Sequence, residues 1–505
     1  MFDLGTSFLA SVERDPDRLA IVDGAMRLSY RDWYGKVSAL AAALDETGLK
    51  RGDHVLTVMQ NRWENASLHW ACQFLGLIVT PLNWRAKADE IDFGIADASA
   101  KAVFYEAATE EAVRLSRLAR DLPQFSTDAL AGIMDGSARD AVPMADAADW
   151  SLMLYTSGTT SKPKGVPRRH RAERAGALAH VAQNLYRHGE RTLGVMPLYH
   201  TMGVRSLIAS ALIGGTFVCL PRFDVGKALD LIDREKITNL YLVPTLYHDL
   251  VHHEAFSPER VASVRKLGYA GASMTDGLLK RLDQTFKPEL FVNHYGSSEI
   301  YTFTIEQMAA GKPGSAGRAG INQMIRVVKL GSRNPDERAA VGEEGEIIAL
   351  MKSDEAFEGY WNRPDADAKA LHGGWYFTGD TGFVDPDGDL FVTGRADDMI
   401  ITGGENVSPV EVESCLSLHE GVAEVAVVGL PDERWGKIVV AFVKRRGTVT
   451  AEELDRHCRE SGLANFRRPR RFVFVEAIPK SPVGKLLRRL LVAGEYTEER
   501  IPEHQ

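Results

Sequence analysis

The chain has 505 residues, of which 45% are hydrophobic and 26% charged, with a formal net charge of −9. That is a globular composition on a chain long enough for more than one core, and the acidic balance argues against a dedicated nucleic-acid surface, which needs a large basic excess. No apolar stretch runs unbroken for a membrane span, the segment Met1 to Ala10 holds Asp3 and no basic region of a secretory leader, and Cys72, Cys219, Cys415 and Cys458 form no CxxC pair, which fits reduced thiols in a cytoplasm and gives no zinc-site spacing.

From about residue 50 to about 300, apolar runs alternate with helical patterns. Strands are predicted at Asp53–Met59, Lys101–Tyr105, Leu152–Tyr155, Thr216–Leu220, Asn239–Val243 and Leu290–Tyr295, with helices such as Val204–Leu212 and Gly226–Glu235 between them. This alternation predicts an α/β fold with parallel sheets covered by helices, whose ligands sit on loops at the carboxyl ends of the strands. After about residue 340 the pattern changes to short strands, Gly345–Leu350 and Asp389–Gly394, with turns such as Pro386-Asp387-Gly388. These read as an antiparallel, barrel-like subdomain. From Val410 a smaller α+β unit follows, with strands at Val422–Gly429, Ile438–Lys444 and Phe472–Val475 and a helix at Ala451–Glu460. The charged, Gly-rich stretch Gly394–Gly404 is the expected mobile join. The expected division is 1–396 for a large N-terminal domain and 397–505 for a small mobile C-terminal domain.

The strand ending at Tyr155 runs into Thr156-Ser157-Gly158-Thr159-Thr160-Ser161-Lys162-Pro163-Lys164-Gly165. Glycine lets backbone approach an anion, and amides, hydroxyls and lysine supply donors and charge for phosphate oxygens. A solvated flexible loop has the same composition. No Gly-Lys-Ser/Thr follows at Walker A spacing, which disfavours a P-loop NTPase.

The loop resembles the signature TSGTTGxPKG of the adenylate-forming superfamily of acyl-CoA synthetases, adenylation domains and luciferases, with Ser161 where glycine is usual. Further motifs follow in the family's order up to Lys485, and the whole is most similar to aryl-CoA ligases of the 4-chlorobenzoate–CoA ligase type. The resemblance implies an ATP-dependent acid–thiol ligase working through an acyl-adenylate, with ATP, Mg2+ and coenzyme A as its small-molecule requirements. Thr156, Ser157, Gly158, Thr159, Thr160 and Lys164 are then the phosphate loop. In Asn293-His294-Tyr295-Gly296-Ser297-Ser298-Glu299 the resemblance implies Tyr295 on adenine, Ser298 on phosphate and Glu299 on Mg2+, an ion that often takes one carboxylate plus substrate phosphates. Asn293, Gly296 and the small-residue loop Gly271-Ala272-Ser273 belong to the same nucleotide site, Asp380 is implied for the ribose, and Arg395 for ribose and phosphate.

Asp397 matches the family's hinge and Lys485 its adenylation lysine, which neutralises charge between the attacking carboxylate and the α-phosphate. On the thiol side, Gly403 and Gly404 resemble the pair lining a pantetheine tunnel. Trp435 matches an aromatic beside that arm or is a buried core tryptophan. Phe466, Arg468 and Arg470 in the basic cluster are implied coenzyme A contacts. His200 resembles an aromatic gate to the acid pocket, not a general base, since a carboxylate is already ionised at neutral pH.

The acid pocket is expected to hold Ala179, Thr201, Met202, His294, Tyr301 and Thr302, a more polar set than a halobenzoate pocket. It points to a compact aromatic, heteroaromatic or alicyclic acid with a polar ring atom or substituent. The partners expected are that acid and coenzyme A, with no nucleic acid and no membrane, in a monomer or homodimer. Alternatives are an adenylation enzyme serving a separate acyl carrier protein, a medium-chain fatty acyl-CoA ligase, a luciferase-like monooxygenase and a non-catalytic nucleotide-binding regulator.

Overall fold

The strands His54–Val58, Asn239–Leu242 and Lys266–Tyr269 are buried at every position, as parallel strands covered by helices on both faces must be. They belong to two large sheets. In the computed structural model, which describes residues 1–137, 139–156, 163–395, 398–481 and 486–499, one sheet has the spatial order 124–126, 102–105, 54–58, 78–81, 150–156, 164–169. Its last two strands form a hairpin in which Thr156 faces Lys164.

The second sheet begins with the hairpin 19–23 and 26–29. It continues through strands 216–219, 191–194, 239–242, 266–269 and 290–295, the last five mutually parallel. It then changes direction. Strands 304–306, 315–319, 390–395, 375–384, 345–350 and 325–329 continue the same hydrogen-bonded path antiparallel. The antiparallel unit expected after residue 340 is therefore an extension of the parallel sheet, not a detached layer.

Helices fill the space around the sheets. Leu4–Arg14, Tyr30–Glu46 and Trp63–Leu75 meet in an aromatic core where Phe8 stacks on Trp70 at 4.7 Å and meets Trp33 edge-on at 5.2 Å. Their starts are written locally: Ser29 and Asp32 close a capping box at the head of Tyr30–Glu46. The helix predicted at Val204–Leu212 begins earlier, at Thr201, because His200 caps it. The one predicted at Gly226–Glu235 runs Val225–Arg234, capped by Asp224.

The small C-terminal domain has a long antiparallel pair, Val422–Asp432 and Gly436–Arg445, joined in parallel by Arg471–Phe474. Pro409–Ser417 and Ala451–Glu460 cover one face around Val412, Leu416, Val427 and Leu454. Polar contacts between the domain and the large one include Ser414 Oγ, which donates to Asp276 Oδ1 at 2.9 Å, His248 Nε2, which donates to the Ala423 carbonyl at 3.1 Å, and Arg446 Nη2, which donates to His252 Nε2 at 2.9 Å. Cys72, Cys219 and Cys458 are buried free thiols and Cys415 is half-buried. Among the described residues, no helix is long and apolar enough to cross a membrane.

Candidate active site

Because strands 191–194, 239–242, 266–269 and 290–295 lie parallel in adjacent register, their carboxyl ends open at one edge. The residues that follow them, Met196–His200, Val243, Ala270–Ser273 and Gly296–Glu299, gather there, where open α/β sheets hold ligands. Gly271 has φ +83°, a conformation that favours glycine. Gly296 is required for a different reason: a Cβ there would lie 2.1 Å from the Tyr301 carbonyl oxygen, so the turn closes only without one.

The helix Thr201–Leu212 points its N-terminus at this edge, a ready site for an anion. His200 is half-buried, and its Nδ1 accepts from the Met202 amide at 3.3 Å. Thr201 Oγ1 lies 3.3 Å from Ser298 Oγ.

On the outer side of the edge, the Tyr295 hydroxyl donates to Asp380 Oδ2 at 2.7 Å, and Arg395 Nη1 lies 3.0 Å from Asp380 Oδ1. Asp380 and Arg395 face each other across the antiparallel strands 375–384 and 390–395. Asn293 shares the strand face of Tyr295, but its side-chain nitrogen donates to the Ser315 carbonyl at 2.8 Å, so it fixes the strand.

Inward of this trio, Glu299 is buried, and Tyr360 donates to its Oε1 at 2.7 Å. Lys164 sits with Nζ 4.0 Å from the centre of the Tyr360 ring. Burial pushes the Lys164 ammonium below its ordinary pKa, and the Glu299 carboxylate works against that shift. Tyr360 is thus the joint between the hairpin base and Glu299. Sequence reading did not find it, since only an aromatic after Gly359 marks the place. Ser157, Gly158, Thr159, Thr160, Asp397 and Lys485 lie outside the described residues.

A second acidic group, Asp385, Asp387 and Asp389, converges elsewhere. Lys312 already lies within 2.6 Å, 3.0 Å and 2.5 Å of those carboxylates, and Arg318 adds a further pair with Asp389. Three carboxylates already paired with two cations form a structural ion-pair cluster.

On the inner side, Ala179, Thr201, Met202, His294, Tyr301 and Thr302 are all buried, Ala179 on the helix His170–Gln183, Thr201 and Met202 on Thr201–Leu212, His294 on the strand 290–295, and Tyr301 and Thr302 after it. Their neighbours are charged and aromatic. Tyr301 donates to Glu173 Oε2 at 3.0 Å, and Glu173 forms a fully buried pair with Arg168 at 2.8 Å. Arg205 donates through Nη1 to Thr302 Oγ1 at 3.0 Å and through Nη2 to the Tyr241 hydroxyl. His294 Nε2 lies 3.1 Å from Asn184 Oδ1, and the His180 ring centre lies 5.2 Å from that of His294.

Arg205, His180 and Tyr241 were not singled out from sequence. Arg205 had a signal: it is the one charged residue in the otherwise small and apolar run Thr201–Leu212, so a helix packed there buries a charge that needs a reason.

The small domain brings part of its expected set together. The Gly403 amide donates to the Trp435 carbonyl at 2.9 Å, and the Arg470 guanidinium stacks over Trp435 at 4.5 Å. Trp435 is half-exposed, which removes the buried-core reading, and Gly403 and Gly404 are exposed. Phe466 packs on the domain's core, and Arg468 pairs with Asp455 at 3.0 Å, so both are engaged in the fold.

Three comparisons with known proteins find relatives of this chain in sequence and in fold. A family model described as AMP-binding enzyme matches residues 8–361, and one for the AMP-binding enzyme C-terminal domain matches residues 411–485. The chain is 34% identical to 4-chlorobenzoate--CoA ligase from an Arthrobacter species, over 95% of this chain and 93% of that protein. It is 33% identical to the long-chain-fatty-acid--CoA ligase FadD13 of Mycobacterium tuberculosis, over 92% and 93%. Its fold matches the o-succinylbenzoate CoA synthetase of Bacillus subtilis, solved with its acyl-adenylate intermediate, at a TM-score of 0.82 and 27% identity, over 96% and 97% of the two chains.

Proposed function

This chain belongs to the family of AMP-binding enzymes, and on that premise we propose how it works as an AMP-forming acyl-CoA synthetase and which acids it takes. In the first half-reaction a carboxylate oxygen attacks the α-phosphorus of ATP, the bond to the β-phosphate oxygen breaks, and pyrophosphate leaves. In the second, the thiol sulfur of coenzyme A attacks the acyl carbonyl, AMP leaves, and the thiol proton passes to solvent.

One observation carries the residue assignment: the Tyr295–Asp380–Arg395 trio stands beside the Glu299–Tyr360–Lys164 trio at a single sheet edge. Asp380 presents a carboxylate suited to two vicinal ribose hydroxyls, while Arg395 and Lys164 supply charge for phosphate oxygens. Glu299 fits Mg2+, since it is a hard oxygen donor whose carboxylate is oriented by Tyr360 through Oε1. Bound there, the ion would neutralise phosphate charge. Ser298 and Thr201 hold hydroxyls beside the N-terminus of Thr201–Leu212, where the reacting carboxylate gains from backbone amides. Lys485 completes the charge balance of adenylation, and Asp397 is the hinge by which the domain of about 397–505 alternates its faces.

The thiol acceptor is coenzyme A, and the support is Trp435 with Arg470 stacked on it beside Gly403. An aromatic and a cation suit a nucleotide end, and a side-chain-free turn suits a slim thiol arm.

Relatives at similar identity act on 4-chlorobenzoate and on long-chain fatty acids, so identity does not choose the acid. The wall does. An alkyl chain packed against buried Arg205, His180 and His294 would leave their polar atoms unpaired at a cost of ~1–3 kcal/mol each. A compact ring acid with a polar atom leaves no such debt.

The test is pyrophosphate and AMP release over benzoates, furoates, cyclic and linear acids, with and without coenzyme A. The expected result is turnover of a compact ring acid that needs coenzyme A. Octanoate as the best substrate overturns the acid reading, and pyrophosphate release that coenzyme A never accelerates points to a carrier protein.

A further inference from the structure

Arg205 is 2% exposed and belongs to a cluster with His180, at 0%, and His294, at 2%. A buried guanidinium usually has a carboxylate partner, because an unpaired buried charge is costly. Among the described residues none lies within ion-pair distance of Arg205. Its Nη1 donates to Thr302 Oγ1 and the Tyr301 carbonyl, its Nη2 to Tyr241, all neutral groups, and its Nε–H is buried without a partner. Glu355 acts on Arg205 through its field; its Oε1 accepts from Asn322 at 3.2 Å, and its Oε2 is buried without a hydrogen-bond partner among the described residues.

The histidine protons can be placed. Asn184 Nδ2 lies 2.7 Å from the His180 carbonyl oxygen, which can only accept, so that atom is the amide nitrogen. It also donates to His180 Nδ1 at 3.0 Å, which puts the His180 proton on Nε2. Asn184 Oδ1 then accepts a hydrogen bond from His294 Nε2–H at 3.1 Å, which leaves His294 Nδ1 as an acceptor. Burial, reinforced by the Arg205 charge, holds both rings well below their ordinary pKa and therefore neutral. His180 Nε2 and His294 Nδ1 are both buried without partners. Among the described residues the cluster thus holds two unsatisfied donors, Arg205 Nε–H and His180 Nε2–H, and the unsatisfied acceptor His294 Nδ1, with a second unsatisfied acceptor, Glu355 Oε2, on the carboxylate whose field acts on Arg205.

The cluster also has a fixed depth. Arg205 follows Thr201 by four residues, so it lies on the same helix face about 6 Å further in. Thr201 is the residue beside Ser298 at the mouth.

We propose that Arg205 and His180 form the specificity wall of the acid pocket and hold a hydrogen-bond acceptor of the substrate, remote from its reacting carboxylate by about the width of one small ring. This rests on the ligase reading above and names its substrate class: acids bearing an acceptor oxygen or nitrogen at that depth, either a ring heteroatom or a second carboxylate. A site built to pair such an atom rejects the analogue that lacks it, because its own buried groups stay unpaired.

The experiment measures kcat/KM for coenzyme A-dependent AMP release on shape-matched pairs: furan- against cyclopentene-carboxylate, pyridine- against benzene-carboxylate, and a benzene dicarboxylate against benzoate. The acceptor-bearing member is expected to win by tenfold or more in at least one pair. The pair that wins tells a neutral heteroatom from a second carboxylate. Arg205→Met should collapse the ratio through acid KM while ATP KM stays put. If that variant does not fold, His180→Phe is read in its place. An apolar member that is equal or better in every pair overturns the proposal, as does a ratio that survives the substitution. No turnover of any acid overturns the ligase reading and this wall with it.

Discussion

Asp380 is held from two sides, by the Tyr295 hydroxyl at 2.7 Å and by the Arg395 guanidinium at 3.0 Å, so its carboxylate is oriented before any nucleotide arrives. Hydrogen bonds to a charged group contribute about 1.5–3 kcal/mol each. Asp380→Ala should therefore raise the KM for ATP by roughly tenfold to a hundredfold and leave the KM for the acid unchanged. Tyr295→Phe keeps the ring and removes one tether, and should cost less than about tenfold. A parallel rise in acid KM would count against a nucleotide role for this trio.

Tyr360 orients Glu299 without contacting substrate in this reading. Partners of this kind change metal affinity by about 10–100-fold when lost. Tyr360→Phe is expected to move the half-saturating Mg2+ concentration upward by roughly that factor, with acid KM unmoved. A Mg2+ titration that overlays the wild type would remove Tyr360 from the site.

Gly403 has φ +59°, and a Cβ there would lie 2.7 Å from the Trp435 ring. Gly403→Ala must displace the indole on which Arg470 stacks. Acid-dependent ATP–pyrophosphate exchange should be unchanged while the KM for coenzyme A rises at least about fivefold, the scale of a lost cation–π contact. Loss of exchange as well would mean that the turn serves the first half-reaction.

Lys485→Ala should cut pyrophosphate release by more than about a hundredfold, the range for removing one electrostatic stabiliser. It should leave thioester formation from synthetic acyl-adenylate mostly intact. Asp397→Pro should do the reverse. If each variant loses both half-reactions equally, the alternating-domain proposal is wrong.

Burial holds His54 and His170 at about 4 and His69 at about 3, with His180 and His294 also well below the ordinary value. From those values up to about 6.5 the unfolded chain binds protons that the folded chain refuses. Stability must then rise with pH through this window and fall away as pH drops below about 6.5, by up to ~1.4 kcal/mol per histidine per pH unit. The carboxyls of Asp23, Glu64, Glu346, Glu355 and Glu413, raised by burial, oppose this trend above their ordinary pKa. Urea unfolding at pH 7.5 and 5.5 should give the lower midpoint at 5.5, and equal midpoints would show that the histidines are protonated in place.

Much of the frame was legible because it is local. Leu290–Tyr295 and Ala451–Glu460 have the bounds that their patterns and caps dictate. The expected nucleotide residues came from the family resemblance, whose motifs stand in linear order on turns after strands. The inner wall was not, because Arg205, His180 and Tyr241 come from separate elements, and only the packing of the helices 170–183 and 201–212 on the sheet unites them. Trp435 was ambiguous for the same reason: sequence could not say whether that end of the hairpin faced core or solvent.

Strand 290–295 has a period of two, and that rhythm divides labour. Residues 293 and 295 face one way, toward Ser315 and Asp380, and residue 294 the other, toward Asn184. On the proposed reading, position 294 can therefore be retuned toward a new acid while Tyr295 keeps its place on Asp380. A one-residue insertion or deletion in the strand would instead exchange the two faces and disable both at once.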